Sequence, residues 1–68
     1  MKLSARNQLK GKIAEIKEGP VSTEVIIEKN GTKLVSSITS NSAKAMDLKV
    51  GDEVYAVIKA SSVMIAKD

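Results

Sequence analysis

The chain has no cysteine, no histidine, no phenylalanine and no tryptophan; Tyr55 is its only aromatic residue and Pro20 its only proline. Each absence removes a class of function. Without Cys there is neither a disulfide nor a thiol nucleophile, and without Cys or His the usual zinc ligand sets cannot form. The commonest general base is missing along with histidine. Glu15, Glu18, Glu24 and Glu28 fall at solvent-facing strand or turn positions, and no pattern places a carboxylate pair in an apolar pocket. Gly11, Gly19, Gly31 and Gly51 occur singly, so there is no phosphate-cradling glycine loop. This composition points to a protein that is not an enzyme. Barrels that bind single-stranded nucleic acid stack bases on aromatic rings, and one tyrosine offers almost nothing to stack on. No apolar run approaches the length of a signal peptide or a membrane span, so a soluble, cytoplasmic protein without a membrane partner is expected.

What the chain does contain is aliphatic. Hydrophobic residues make up 43% of its 68 positions, and Val, Ile and Ala supply most of them, which favours thin, sheet-based packing. The length fits a single domain over residues 1–68. A domain this small buries only roughly 60% of its unfolded-chain surface. With disulfides and zinc excluded, oligomerisation is the remaining route to a stable fold. The net charge of +3 and a pI near 9.3 suit small anions or nucleic acid, although the charges are mixed along the chain.

Period-two alternation dominates the pattern. Leu9, Gly11 and Ile13 alternate, and then Ala14 and Ile16 continue in the opposite phase, which predicts a strand bulged near Ile13-Ala14. Glu18-Gly19-Pro20 signals a turn. Val21, Thr23, Val25 and Ile27 form one face of a second strand, and Asn30-Gly31 predicts a type I′ hairpin turn. The chain returns over Thr32–Thr39 with Leu34, Ser36 and Ile38 on one face. Ser40-Asn41-Ser42 can cap a short helix spanning Ser42–Leu48, and Val50-Gly51-Asp52 is a further turn. A fourth strand is expected over Glu53–Lys59 and a last short one over Val63–Ala66. The fold expected is all-β: a five-stranded OB-type barrel with one short helix between strands 3 and 4. An open meander or small sandwich has much the same pattern.

The chemistry available is that of donors. Ser4-Ala5-Arg6-Asn7-Gln8-Leu9-Lys10-Gly11 holds the only arginine; the other ten basic residues are lysines. A guanidinium presents a fixed fork of donors suited to oxyanions, which an ammonium cannot copy. Ser36, Ser37, Thr39, Ser40, Ser42, Ser61 and Ser62 add hydroxyls. A fully deprotonated tetrahedral oxyanion has only acceptor oxygens, so a donor-only site suits it. Hydroxyl residues are equally at home on outer strand faces and at helix caps, and Ser40 and Asn41 fit that role.

The opening motif Ser4–Gly11 closely resembles the start of the molybdenum–pterin-binding protein family, the molbindins called Mop. The same unit occurs as the Mop or TOBE domain of molybdate-responsive regulators and molybdate transporter ATPases. Ser37-Ile38-Thr39-Ser40-Asn41-Ser42 resembles the family's central segment, and Val57 to Ile65 its closing one, so the likeness spans essentially the whole chain. The resemblance implies a stand-alone domain assembling as a homohexamer, a trimer of dimers, with molybdate or tungstate bound between subunits for molybdenum storage or homeostasis. It implies Ser4, Arg6, Thr39, Ser42, Lys59 and Ala60 as the oxyanion ligands, Ala60 through its backbone N–H. Ser42 can alternatively cap the helix, and Ser61 can replace or supplement Ala60. No cofactor and no directly ligated metal are implied, since molybdenum would arrive as its oxyanion. A bound pterin fits less well, for want of an aromatic surface. The alternative to this reading is a single-stranded nucleic-acid-binding barrel.

Overall fold

A computed structural model describes residues 2–68. Four strands run in the order β1 Asn7–Lys17, β2 Ser22–Lys29, β3 Thr32–Thr39 and β4 Glu53–Ile58, with helix α1 at Ser40–Ala45 between the last two. All neighbours are antiparallel, and the sheet order is β3-β2-β1-β4. The result is an all-β half-barrel in which β3 and β4 are the two edges. Among the described residues no helix is long and apolar enough to cross a membrane.

Alternation and turn chemistry account for these elements. On β2, Thr23, Val25 and Ile27 point inward and are buried, while Ser22, Glu24 and Glu28 face solvent. Ile26 is buried as well, on the face it shares with Ser22, Glu24 and Glu28. Asn30 and Gly31 both have positive φ (50° and 82°), as a type I′ turn requires. The bulge falls where the phase change places it: Ile13 pairs with Ile27 but Glu15 pairs with Ile26, leaving Ala14 unopposed. That extra residue keeps both Ile13 and Ile16 on the inner side. The backbone freed at the bulge is not wasted. Ile13 N–H donates to Asp52 O (3.0 Å) and Gly51 N–H donates to Ile13 O (2.8 Å), so the turn before β4 is tied to β1.

The core is small and aliphatic. Ile13, Val25 and Ile27 form its centre, with Ile16, Leu34, Ile38, Leu48, Val54 and Ala56 packed around them. Gly11 allows β1 to cross closely over β2. A Cβ there would sit 2.7 Å from the Glu28 carbonyl oxygen and 2.8 Å from Ile27 Cγ2. Tyr55 takes no part in the interior; it is half-exposed on β4.

Two expectations need correction. The last strand is absent: Val63–Ala66 pairs with no strand among the described residues, although Val63 is extended (φ −95°, ψ 120°). A short 3₁₀ turn at Ala60–Ser62 leads into it instead. Within one chain the described residues form a four-stranded half-barrel with one helix between β3 and β4, in keeping with the OB-type, all-β fold expected. The helix runs over Ser40–Ala45, two residues earlier at its start than the Ser42–Leu48 expected, because β3 pairing ends with Thr39 opposite Ser22 and the chain turns there. Asp47, at positive φ (50°), ends the helical stretch before Leu48.

Candidate functional site

The β1–β4 ladder ends with Asn7 opposite Ile58, so one step further Arg6 and Lys59 lie side by side. Together with Ser4, Ala5, Val57, Ala60 and Ser61 they line an open groove of about 640 Å³. The Gln8 side-chain amide donates to Ala5 O (2.8 Å), holding the turn that precedes β1. On the other wall the 3₁₀ turn is closed by Ser62 N–H donating to Lys59 O (2.8 Å) and Val63 N–H to Ala60 O (3.2 Å). The first N–H groups of such a turn have no partner within it and are available to a ligand.

Charge in the groove is one-sided. It is lined by two cations and no carboxylate. The ion pairs among the described residues are Lys10–Glu53 (3.0 Å) and Lys49–Asp47 (3.5 Å), so Arg6 and Lys59 both lack a protein counter-ion. Neighbouring like charges repel, and an anion placed between them relieves that cost. Ser4, Arg6, Lys59, Ala60 and Ser61 are all exposed, so the groove is reachable.

The far end of the sheet is built differently. Thr39 closes β3 and caps α1: its Oγ1 accepts from Ser42 N–H (3.1 Å) and donates to Ser42 Oγ (2.7 Å). A hydroxyl has one hydrogen. Thr39 spends its own on Ser42, which leaves the Ser42 hydroxyl hydrogen free to point outward. Beneath them Ser40 is buried, with its N–H donating to Val21 O (2.8 Å) and its hydroxyl donating to Gly19 O. The buried Thr23 hydroxyl lies 2.8 Å from Ser40 Oγ and must be the donor, since the Ser40 hydrogen is already used. This relay pins the start of the helix to the turn between β1 and β2. Among the described residues no buried side-chain nitrogen or oxygen lacks a partner.

The six expected ligands thus fall into two groups. Ser4, Arg6, Lys59 and Ala60 share one groove, with Ser61 beside Ala60 as the alternative reading allowed; Thr39 and Ser42 meet at the other end. Roughly 30 Å of β1 separates them, in a molecule whose longest dimension is 36 Å. The groove that holds the first group is lined by neither Thr39 nor Ser42. Ser40 and Asn41 were expected as caps, but Thr39 does the capping, and Ser42 is the residue whose N–H is capped. The Thr23–Ser40 relay was not anticipated. Its signal was a lone hydroxyl on the apolar face of β2, which demands a buried partner.

A family model described as the TOBE domain matches residues 3–65. The chain belongs to the TOBE domain family. This TOBE chain is 52% identical over 66 residues to a protein of Haemophilus influenzae named as a probable molybdenum-pterin-binding protein, covering 96% of each. It superposes with a TM-score of 0.94 on the structure of a molybdate binding protein from Sporomusa ovata, at 39% identity, covering 98% of this chain and all of that one. It also matches the cytoplasmic molybdate-binding protein ModG, solved with molybdate bound, at a TM-score of 0.83 and 48% identity; 88% of this chain covers 43% of ModG. Among the described residues this TOBE domain has no cluster of three or more Cys, His, Asp or Glu able to hold a metal ion. Its chemistry is that of hydrogen-bond donors.

Proposed function

We propose that this TOBE domain binds molybdate or tungstate as intact oxyanions between the subunits of a homo-oligomer, serving cytoplasmic molybdenum storage or homeostasis. The observation that carries the reading is the groove in which Arg6 and Lys59 stand together without a carboxylate. The molybdate-binding relatives of closely similar fold support it. Ser4, Arg6, Lys59 and the Ala60 N–H of one subunit hold the ligand, and Thr39 and Ser42 of a neighbouring subunit complete the shell. The separation of the two groups within one chain is the reason for a site between chains. The assembly is a homohexamer, a trimer of dimers, of closed five-stranded barrels.

No bond in the ligand is made or broken. Molybdate near neutral pH is a tetrahedral dianion with acceptors only, and every group of this shell is able to donate. Phosphate still carries a proton there, and accepting it would cost one hydroxyl of the shell its role as a donor to the ligand. Sulfate matches in charge and differs in size, so it is discriminated by fit. Hydrogen bonds to a charged group contribute about 1.5–3 kcal/mol each. A handful of them, less the costs of ordering and desolvation, give an affinity of micromolar order or better. Native mass spectrometry with added molybdate tests this, with sulfate as control. A hexamer that takes up several molybdates and no sulfate is the expected result; a chain that ignores molybdate in every oligomeric state refutes the reading.

A further inference from the structure

The two walls of the charged groove are held very unequally. The wall at Lys59–Ser61 follows β4 directly and is closed by its own 3₁₀ turn, with Ser62 N–H on Lys59 O and Val63 N–H on Ala60 O. The wall at Ser4–Arg6 lies ahead of β1, outside every helix and strand. Among the described residues no turn or loop backbone bond reaches residues 4–6, and the one side-chain hydrogen bond that does runs from Gln8 Nε2 to Ala5 O, at 2.8 Å. Arginine carries a long, rotamer-rich side chain. What fixes its backbone therefore decides how much must still be ordered when a ligand arrives.

Gln8 sits in β1 opposite Val57 of β4, so its own backbone is set by the ladder. Its amide reaches back three residues to the carbonyl immediately before Arg6. That carbonyl and the Arg6 nitrogen belong to one planar peptide unit, so holding the oxygen orients the bond from which Arg6 springs. On the other side of Arg6, Asn7 is paired with Ile58. Arg6 is thus gripped from both neighbours, while its guanidinium makes no ion pair among the described residues. Gln8 does not line the groove, so it acts through the arginine and does not touch the ligand. We infer that Gln8 is a positioning residue of the oxyanion site, its amide pre-orienting Arg6 for the ligand. The role rests on the oxyanion reading above; the brace from Gln8 to Ala5 does not.

Gln8→Met is the test, because methionine keeps an unbranched stem of similar length and loses the amide donor. In the ligand-free protein, nitrogen relaxation should show the Arg6 amide passing into the flexible range, below an order parameter of about 0.6, with β1 unchanged. An Arg6 amide as ordered as the parent's overturns the brace. Calorimetry with molybdate should show affinity about threefold to tenfold weaker, the worth of one neutral hydrogen bond. Gln8 is exposed and water can take up Ala5 O, so the urea midpoint at fixed protein concentration should hold. A midpoint that falls in step with affinity means a merely structural residue and overturns the positioning role. The decisive reading is a double-mutant cycle with Arg6→Ala. With no guanidinium left to position, Gln8→Met should cost nothing further. An equal loss in both backgrounds overturns the route through Arg6. The two readings fail separately. A parent that binds no molybdate overturns the oxyanion site and with it any role for Gln8 there. A parent that binds, matched by Gln8→Met, overturns the positioning role alone.

Discussion

The two ends of the sheet solve opposite problems. At the Arg6–Lys59 end charge is abundant and organisation scarce: both cations are exposed and neither has a counter-ion among the described residues. At the Thr39–Ser42 end the expected ligands are neutral hydroxyls, and every hydrogen bond they make is directed. Thr39 caps the helix, Ser40 is bonded to Val21 and Gly19, and Thr23 donates to Ser40 from beneath. A binding shell needs both qualities, since charge sets the strength of attraction and fixed donors set its geometry. Their placement at opposite ends of one chain is the reason the proposed site lies between chains.

The strongest way to break the comparison is to strip the charged end. Arg6→Ala should weaken molybdate binding about tenfold or more, which is about 1.4 kcal/mol, and Arg6→Ala with Lys59→Met about a hundredfold. Both are measurable by calorimetry. Because both side chains are exposed and make no ion pair among the described residues, the urea midpoint should not move. Unchanged affinity in the double variant would place the site elsewhere. The built end should respond the other way round. Ser40→Ala leaves Gly19 O without its donor and the Thr23 hydroxyl without its acceptor, both beneath the helix start. A loss of about 1–3 kcal/mol in urea unfolding is expected at fixed protein concentration. A shift within error would mean that water or a rearranged Thr23 replaces the relay.

A finer cut separates Ser42 from Thr39. Since Thr39 spends its hydrogen on Ser42, the outward donor is Ser42. Ser42→Ala should therefore reduce affinity about tenfold, the value of one hydrogen bond to a charged ligand, with stability close to unchanged. Thr39→Val removes the helix cap too, and should also lower stability by about 0.5–2 kcal/mol. If Thr39→Val weakens binding while Ser42→Ala does not, the hydrogen-bond polarity drawn here is reversed.

How much of this was legible in the sequence depended on whether the deciding interaction was local. The bulge at Ile13-Ala14 showed as a phase change, and Asn30-Gly31 named its own turn, because period-two patterning and turn chemistry need only a few neighbouring residues. The helix start did not show in the same way. Thr39, Ser40, Asn41 and Ser42 are all capping types, and which one caps depends on where the β2–β3 ladder stops, which is a tertiary fact. Ser40 was read as a cap and is a buried strut. The fifth strand was legible as a pattern and absent as an element, since Val63–Ala66 meets no strand among the described residues. Of the site residues, Arg6 stood out by composition, and its place beside Lys59 follows from the β1–β4 register, which no local signal encodes.

The smallest effect belongs to the ion pair that, among the described residues, links β1 to β4. Lys10 on β1 meets Glu53 on β4 at 3.0 Å, both well exposed. The hydrogen bond from Lys10, and then its charge, hold the Glu53 carboxyl below its ordinary value of 4.5; the same hydrogen bond and the Glu53 charge raise Lys10 above 10.5. A lowered carboxyl stabilises the fold above the ordinary glutamate range, and that contribution fades as pH falls through the lowered value. A raised lysine contributes below 10.5 and fades as pH rises past its own raised value. Exposed pairs are screened by solvent and salt, so Glu53→Gln should change the urea midpoint at neutral pH less than Ser40→Ala or Thr39→Val. Its signature is a slightly flatter loss of stability under acid, erased by added salt. Molybdate affinity should not change, because Lys10 already has a partner and lies outside the groove. A gain in affinity on freeing Lys10 would show that the charged end reaches further along β1 than Arg6, and would redraw the boundary between the two halves.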